Sequence, residues 1–319
     1  PISSRPDWRP AQGKPGSSLA DMQHQALDRF GTAYGICNPL YGVQMVFSED
    51  MADAFCRALN DWLVKEWLDK DDRLRGSIVI PVQSIEKAVA EIERCAQDKR
   101  FVQVLMLVMG DMPLGKRHYW PIYAAAERLG LPIGIHAGSA YHNPPSSVGW
   151  GSYHIEDYVA QAQAFQTQLT SLIVEGVFAR HPKLKMVMLE SGFTWLPPFL
   201  WRLHKFWRGV RMETPWVDRP PLEIVRSNIR FSLQPVDAPP EPETLNRLFD
   251  HMQSDELLLF SSDYPHWQFD GDEVLPPGLS PDLVRKIIID NPHATYPRLK
   301  VAHDTEKRPP VFGQDHAQN

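Results

Sequence analysis

Cysteine is scarce. The three present among 319 residues, Cys37, Cys56 and Cys95, are too few and too far apart for a disulfide framework or a thiolate zinc site. A reducing compartment is therefore expected, the cytoplasm by default. Cationic side chains hold no majority: 33 Lys and Arg against 39 Asp and Glu give a formal charge of -6. Without a clustered basic excess, nucleic acid and anionic membranes are excluded as partners. Long apolar runs are missing too. Even Phe101 to Gly110 stops after about ten residues, where a membrane span needs about twenty. The opening PISSRPDWRPAQGKPG lacks the apolar centre of a signal peptide. Also absent are a GxGxxG after a strand, a P-loop, a GxSxG and an HExxH, so nucleotide, serine-hydrolase and zincin chemistries have no local support. Small molecules and protein subunits remain as partners.

What is present is an alternation of short apolar runs with longer amphipathic stretches, the pattern of repeated βα units around a parallel sheet. Strands are expected at 33–40, 76–82, 101–109, 131–137, 184–190, 228–234 and 256–262, and helices at 49–69, 85–97, 119–129, 156–180, 195–210, 241–252 and 281–291. Several strands are apolar on successive residues, as in a sheet buried on both faces, which excludes an antiparallel sandwich. The helix from Glu156 sets Val159, Ala162, Phe165, Leu169, Leu172, Ile173 and Val177 on one face. Seven strands are one short of a closed (β/α)8 barrel. With no methionine at Pro1 and a loop-like start, the expectation is a TIM-like α/β barrel domain over 1–300 whose first strand precedes Pro1, followed by a polar tail at 301–319. No internal repeat or low-complexity tract interrupts it.

In parallel α/β folds functional side chains gather at the carboxyl ends of strands. Here apolar runs lead directly into His136, Glu190, Gln234 and Asp263, each closely followed by Gly or Pro. Asp263, in Ser261-Ser262-Asp263-Tyr264-Pro265-His266-Trp267, is the strongest signal: a carboxylate there can ligate a metal and take a proton from metal-bound water. The alternative is an Asx turn before the proline. His136 precedes Ala137-Gly138, which lets a ligand or metal come close; a buried histidine satisfied by the next loop is the bland reading. Glu190 is a metal ligand, a general base, a carboxylate orienting His136, or an ion-pair partner of Arg202, Lys205 or Arg208. His266 and Trp267 follow within reach of a substrate, His266 serving either substrate or ligands, and His142 and His154 are weaker pocket-lining candidates. The aromatic stretch from Phe193 to Trp216 packs either a subunit interface or the barrel. No cysteine ends a strand at the mouth except Cys37, so a catalytic thiol is not expected.

IGIHAG, MLESGFTWLPPFLWRL, FSLQP, LLFSSDYPHW and IIIDNPHATYPRL together resemble the amidohydrolase-related family that includes aminocarboxymuconate-semialdehyde decarboxylase, over about residues 20–300, with SDYPHW the most specific piece. The resemblance implies a (β/α)8 barrel with one divalent metal, Zn or Mn, and hydrolase or decarboxylase activity. His136 would match the family's metal-binding histidine after strand five, and Asp263 its strand-eight aspartate. Two departures stand out. None of the 12 histidines forms the family's His-x-His pair, which either precedes Pro1 or does not exist. Glu190 occupies the place of a catalytic histidine after strand six, and a carboxylate donates a proton near neutrality only if its pKa is raised. An extra carboxylate also opens a route to a second metal, since it adds a hard ligand; Fe is the alternative to Zn or Mn.

The leading expectation is therefore a metal-dependent hydrolase acting on a small carboxylic or amide-like substrate through activated water. His136 and Asp263 ligate, Asp263 accepts the proton, Glu190 is a further ligand or base, and Gln234, His266, Trp267, His142 and His154 line the substrate. The alternatives are non-oxidative decarboxylation of an aromatic or muconate-like acid, a metal-dependent oxygenase, or a metal-free barrel subunit beside an active paralogue. A homo-oligomer, or a hetero-oligomer with that paralogue, is expected.

Overall fold

Among the described residues, seven short parallel strands in strict sequence order form the spine of the molecule, successive strands being joined by crossovers that carry helix. The computed structural model of the chain describes residues 4–40, 42–138, 142–267 and 275–301; the polar tail and the strand expected before Pro1 lie outside these. The strands are β1 (Gly35–Cys37), β2 (Leu74–Val79), β3 (Phe101–Leu107), β4 (Ile133–His136), β5 (Met186–Leu189), β6 (Ile229–Ser232) and β7 (Leu258–Leu259). All seven fall within the expected segments or overlap them, trimmed at their ends because the apolar runs continue into the loops. The principal helices are α1 (Glu49–Leu63), α2 (Ile85–Cys95), α3 (Trp120–Leu129), α4 (His154–Val174), α5 (Leu196–Val210), α6 (Pro221–Asn228) and α7 (Pro242–Met252). Among the described residues, β1 and β7 each pair with one neighbour only, so the curled sheet has two open edges. No helix among them is long and apolar enough to cross a membrane.

The two faces of the sheet are buried differently. Towards the helices lies the larger apolar cluster, with Ile78, Val104, Ile133, Ile135, Met186, Met188 and Phe231 facing α2 to α7. The inner face carries Val79, Leu105, Val187, Leu189 and Leu259, closed by Tyr296 and Leu299 from the last helical turns. This double burial is why the strands read as unbroken apolar runs. The inner face also holds a satisfied polar core: the Ser77 hydroxyl (2.7 Å) and the Gln103 amide (2.9 Å) donate to Asn38 Oδ1, and the Tyr296 hydroxyl donates to Gln103 Oε1 (3.1 Å). Gly134 makes room for it, since a Cβ there would stand 2.9 Å from both Gln103 and Leu189 side chains.

Helix starts follow ordinary capping chemistry. Ser48 accepts from the Met51 amide at α1, and prolines open α5, α6 and α7 in their first turns, where a missing N–H costs nothing. The amphipathic face expected for α4 needs correction at its start. Val159 is 67% exposed, while Gln161 and Gln168 are buried. Gln168 reaches the core because its amide is fully used: Nε2 donates to Val108 O (2.7 Å) and Oε1 accepts from Leu114 N (2.7 Å). Hydropathy periodicity cannot register a glutamine whose polar atoms are both paired.

Candidate functional site

Register fixes which side chains enter the centre of the sheet. Partnered residues in neighbouring parallel strands share a face. Leu107 pairs with His136 and His136 with Leu189, while Ser232 pairs with Leu259. Leu189 and Leu259 belong to the inner cluster, so His136 and Ser232 face inwards with them, and Gln234, two residues beyond Ser232, continues that face. Glu190 follows β5 directly, and its amide donates to the Ser232 hydroxyl (2.9 Å).

Four of the expected side chains converge here. Among the described residues, Glu190, Asp263 and His266 have ligand-type atoms all within 4.8 Å of one another. His266 Nδ1 lies 2.9 Å from Asp263 Oδ2 and 3.6 Å from Glu190 Oε1, and His136 Nε2 lies 3.4 Å from Glu190 Oε2. The ion pairs considered for Glu190 with Arg202, Lys205 or Arg208 are not what it makes; Arg202 instead covers the Phe206 ring. The backbone at both carboxylates is unusual. Glu190 has φ 58° and Asp263 φ 51°, the left-handed region that side chains other than Asn, Asp and Gly disfavour. That turn is tight enough that a Cβ on Gly192 would meet Asp237 Oδ2 at 2.3 Å. The loop after Asp263 is clamped by the N-terminal segment. Arg5 N donates to Pro265 O (3.1 Å), Ser4 bridges His266 antiparallel, and the Trp8 ring packs on Tyr264 at 5.0 Å.

Protonation follows from burial and from crowding of like charge. His136 Nδ1 donates to Ala137 O (2.6 Å), which leaves Nε2 as an unprotonated acceptor, and burial lowers its pKa. Glu190 is pushed up to about 8, first by burial and then by the Asp263 charge, with His266 opposing. His136 Nε2 and Glu190 Oε2 stand 3.4 Å apart, a contact that is favourable with a proton or a cation between them. Carboxylate oxygens with imidazole nitrogens suit a divalent ion such as Mn or Zn, and the donor set therefore fits one. Burial also pushes the Cys37 thiol up to about 12, leaving no thiolate at the end of β1.

The other expected residues divide. Gln234 is 1% exposed, and neither amide atom has a partner among the described residues. Trp267 is half exposed beside His266 and Tyr158, with ring centroids 6.1 Å away in each case. His142 stands apart from the cluster, paired with Asp111 (2.8 Å), and His154 is exposed at the start of α4. Two participants were not anticipated. Tyr158 of α4 places its hydroxyl 3.5 Å from His266 Nε2, and Ser232 holds the Glu190 amide. Neither carries a signal in sequence, because one sits on a helix and the other is a small residue inside a strand.

A family model described as "Amidohydrolase" matches residues 2–298. Gamma-resorcylate decarboxylase of Rhodococcus jostii (strain RHA1) is 28% identical over 189 residues, 56% of this chain and 55% of that protein. The chain thus spans about half the length of that curated relative. The crystal structure of 2,6-dihydroxybenzoate decarboxylase from Rhizobium superposes with a TM-score of 0.71 at 21% identity, covering 87% of this chain and 88% of the other. Dihydroxybenzoic acid decarboxylase from Polaromonas sp. JS666, solved with bound manganese and the inhibitor 2-nitroresorcinol, gives a TM-score of 0.69 at 21% identity, covering 87% and 86%.

Proposed function

Because the chain belongs to the amidohydrolase family, we propose that it is a metal-dependent carboxy-lyase that removes CO2 from a carboxylated aromatic acid without an oxidant. The observation that carries this is the convergence of His136, Glu190, Asp263 and His266 at the carboxyl ends of β4, β5 and β7. The curated relative reported above is a decarboxylase, which favours this reaction over the hydrolysis expected from the sequence. Membership also makes a closed (β/α)8 barrel the fold we propose for the whole protein, with an eighth strand between the open edges of β1 and β7.

In this reading His136, Asp263 and His266 hold the cation. When bound, it supplies positive charge that fixes the substrate's anionic oxygens and draws electron density from the ring. Glu190 keeps a proton and is the general acid. Burial, the larger cause of its raised pKa, favours the protonated form. Its proton goes to the ring carbon as the bond to the carboxylate breaks, the bonding pair staying on that carbon and CO2 leaving. Gln234, with free donors and an acceptor in a dry setting, binds a substrate oxygen, and Trp267 with Tyr158 covers the ring. The exposed aromatic face of α5, with Trp201 57% and Phe206 52% exposed, packs a second copy of the chain.

Metal analysis of the purified protein, followed by CO2 release from a panel of hydroxybenzoates with Mn or Zn restored, tests the proposal. Metal-dependent CO2 release that disappears in Glu190→Gln is expected. Stoichiometric metal with hydrolysis of amides or lactones and no CO2 release would overturn it.

A further inference from the structure

The turn that carries Asp263 and His266 is gripped by a segment far from it in sequence, residues 4–30. Ser4 bridges His266, Arg5 N donates to Pro265 O (3.1 Å), and the Tyr264 hydroxyl donates to Gln25 Oε1 (2.9 Å). Gly16 approaches Pro265 so closely that a Cβ there would stand 3.2 Å from Cγ of the proline ring. Trp8 makes the broadest of these contacts. It is 1% exposed, and its ring lies 5.0 Å from that of Tyr264 in a small apolar cluster with Phe30, Phe260 and Leu275, apart from the two clusters that line the sheet.

This strap is also closed on itself. Trp8 N donates to Arg5 O (3.1 Å), the Arg5 guanidinium covers the Trp8 ring at 4.4 Å, and Arg9 Nε donates to Ser4 Oγ (3.2 Å). Tyr264 and Pro265 are thus held by the strap, while the residues on either side of them, Asp263 and His266, meet at 2.9 Å in the cluster. Asp263 has φ 51°, a sparsely populated conformation that persists where the surroundings fix it. Ligands ordered beforehand hold an ion more tightly than ligands that must be ordered on binding.

We infer that Trp8 is a positioning residue for the cation site: docked on Tyr264, it fixes the Asp263–His266 turn and so sets the affinity for a divalent ion. The inference rests on the metal-dependent carboxy-lyase reading for that ion, and its two measurements do not involve CO2 release. Mn2+ is titrated into the metal-free full chain and followed by the paramagnetic resonance signal of the free ion, and amide hydrogen exchange is followed over residues 261–267 in the metal-free protein. Trp8→Ala should raise the Mn dissociation constant about tenfold or more, the loss expected when a group that orients ligands is removed. It should also speed exchange over 261–267 while β3 exchanges as slowly as before. Trp8→Phe, which keeps a ring against Tyr264, should recover most of the affinity. Arg5→Pro is milder, because Arg5 has φ -56°, which proline adopts, and loses its N–H along with the guanidinium. It should weaken Mn binding more than Arg5→Gln, which keeps the N–H. Reciprocally, saturating Mn should slow exchange over residues 4–9. If Trp8→Ala exchanges faster in β3 as well, the Arg5 pair decides. Affinities in this order without CO2 release would sink the carboxy-lyase reading and leave this inference standing. An unaltered protein that binds no Mn would sink that reading too, and exchange over 261–267 would then decide the positioning of the turn by itself. Mn dissociation constants within about twofold of the unaltered protein in both Trp8→Ala and Arg5→Pro, or unchanged exchange over 261–267 in Trp8→Ala, would overturn the inference.

Discussion

Gln234→Met should make the protein more stable and less active. Gln234 is 1% exposed and both of its amide atoms lack partners among the described residues. Burying an amide without hydrogen bonds costs about 1–3 kcal/mol on scales drawn from protein mutants. Methionine is close to glutamine in length and volume, so it returns that amount with little change in packing. The backbone role of this position survives, because the Gln234 amide N–H that donates to Ser261 Oγ (2.9 Å) is untouched. A gain of about 1–3 kcal/mol raises the Tm of a domain of this size by roughly 2–6 °C, measurable by calorimetry or urea titration. In the same protein, turnover should fall at least about tenfold, mostly in KM, because a buried oxygen-binding group is gone. Had evolution needed only a filled core, an apolar residue would serve better here; an unpaired amide makes sense when a ligand completes it. A variant that is destabilised by more than about 1 kcal/mol would refute the reasoning, because it would mean the amide is already paired. Full activity with raised stability would refute its functional half.

Three further outcomes are expected. Asp263→Asn should lose bound metal and CO2 release but fold normally, since Asn tolerates φ 51° as well as Asp does; metal analysis with circular dichroism checks both, and retained stoichiometric metal contradicts it. Glu91→Gln should destabilise the protein by roughly 1.5–3 kcal/mol at neutral pH, because the buried carboxylate accepts from Asn60 Nδ2 (2.8 Å), Arg94 Nε (2.8 Å) and Arg94 Nη2 (2.7 Å). Burial pushes the Glu91 pKa up, but the Arg94, Asn60 and Cys95 hydrogen bonds outweigh it and the net value is lowered. Its stabilisation is therefore complete above the unfolded value of 4.5 and is lost as pH falls through the folded value, so urea titrations should show the two proteins converging in acid; a gap that is constant with pH would be inconsistent. Finally, Trp201→Asp on the exposed face of α5 should shift the protein to a smaller species by light scattering, whereas an unchanged mass removes that face as an interface.

The strands were legible because burial of both faces leaves uninterrupted apolar runs, and the polar residues that end four of them point to the mouth. That logic points to His136, Glu190 and Asp263, which the structure brings together with His266. The helix α6 was not legible: Pro220-Pro221 reads as a loop, although proline at the first position is compatible with a helix start. Nor were contacts between loops. Asp111 and His142 follow different strands, and nothing in either segment announces that they meet. The raised pKa of Glu190 was also out of reach, because it depends on burial and on the nearby Asp263 charge, neither of which is a property of the segment that carries it.

The left-handed backbone at Glu190 and Asp263 separates two kinds of selection on this molecule. A saturation library at position 190 sorted only for folded, protease-resistant protein should enrich glycine and asparagine, which occupy that conformation at least cost. The same library sorted for turnover should return glutamate. Disagreement between the two sorts would locate, codon by codon, where the fold carries strain on behalf of its chemistry.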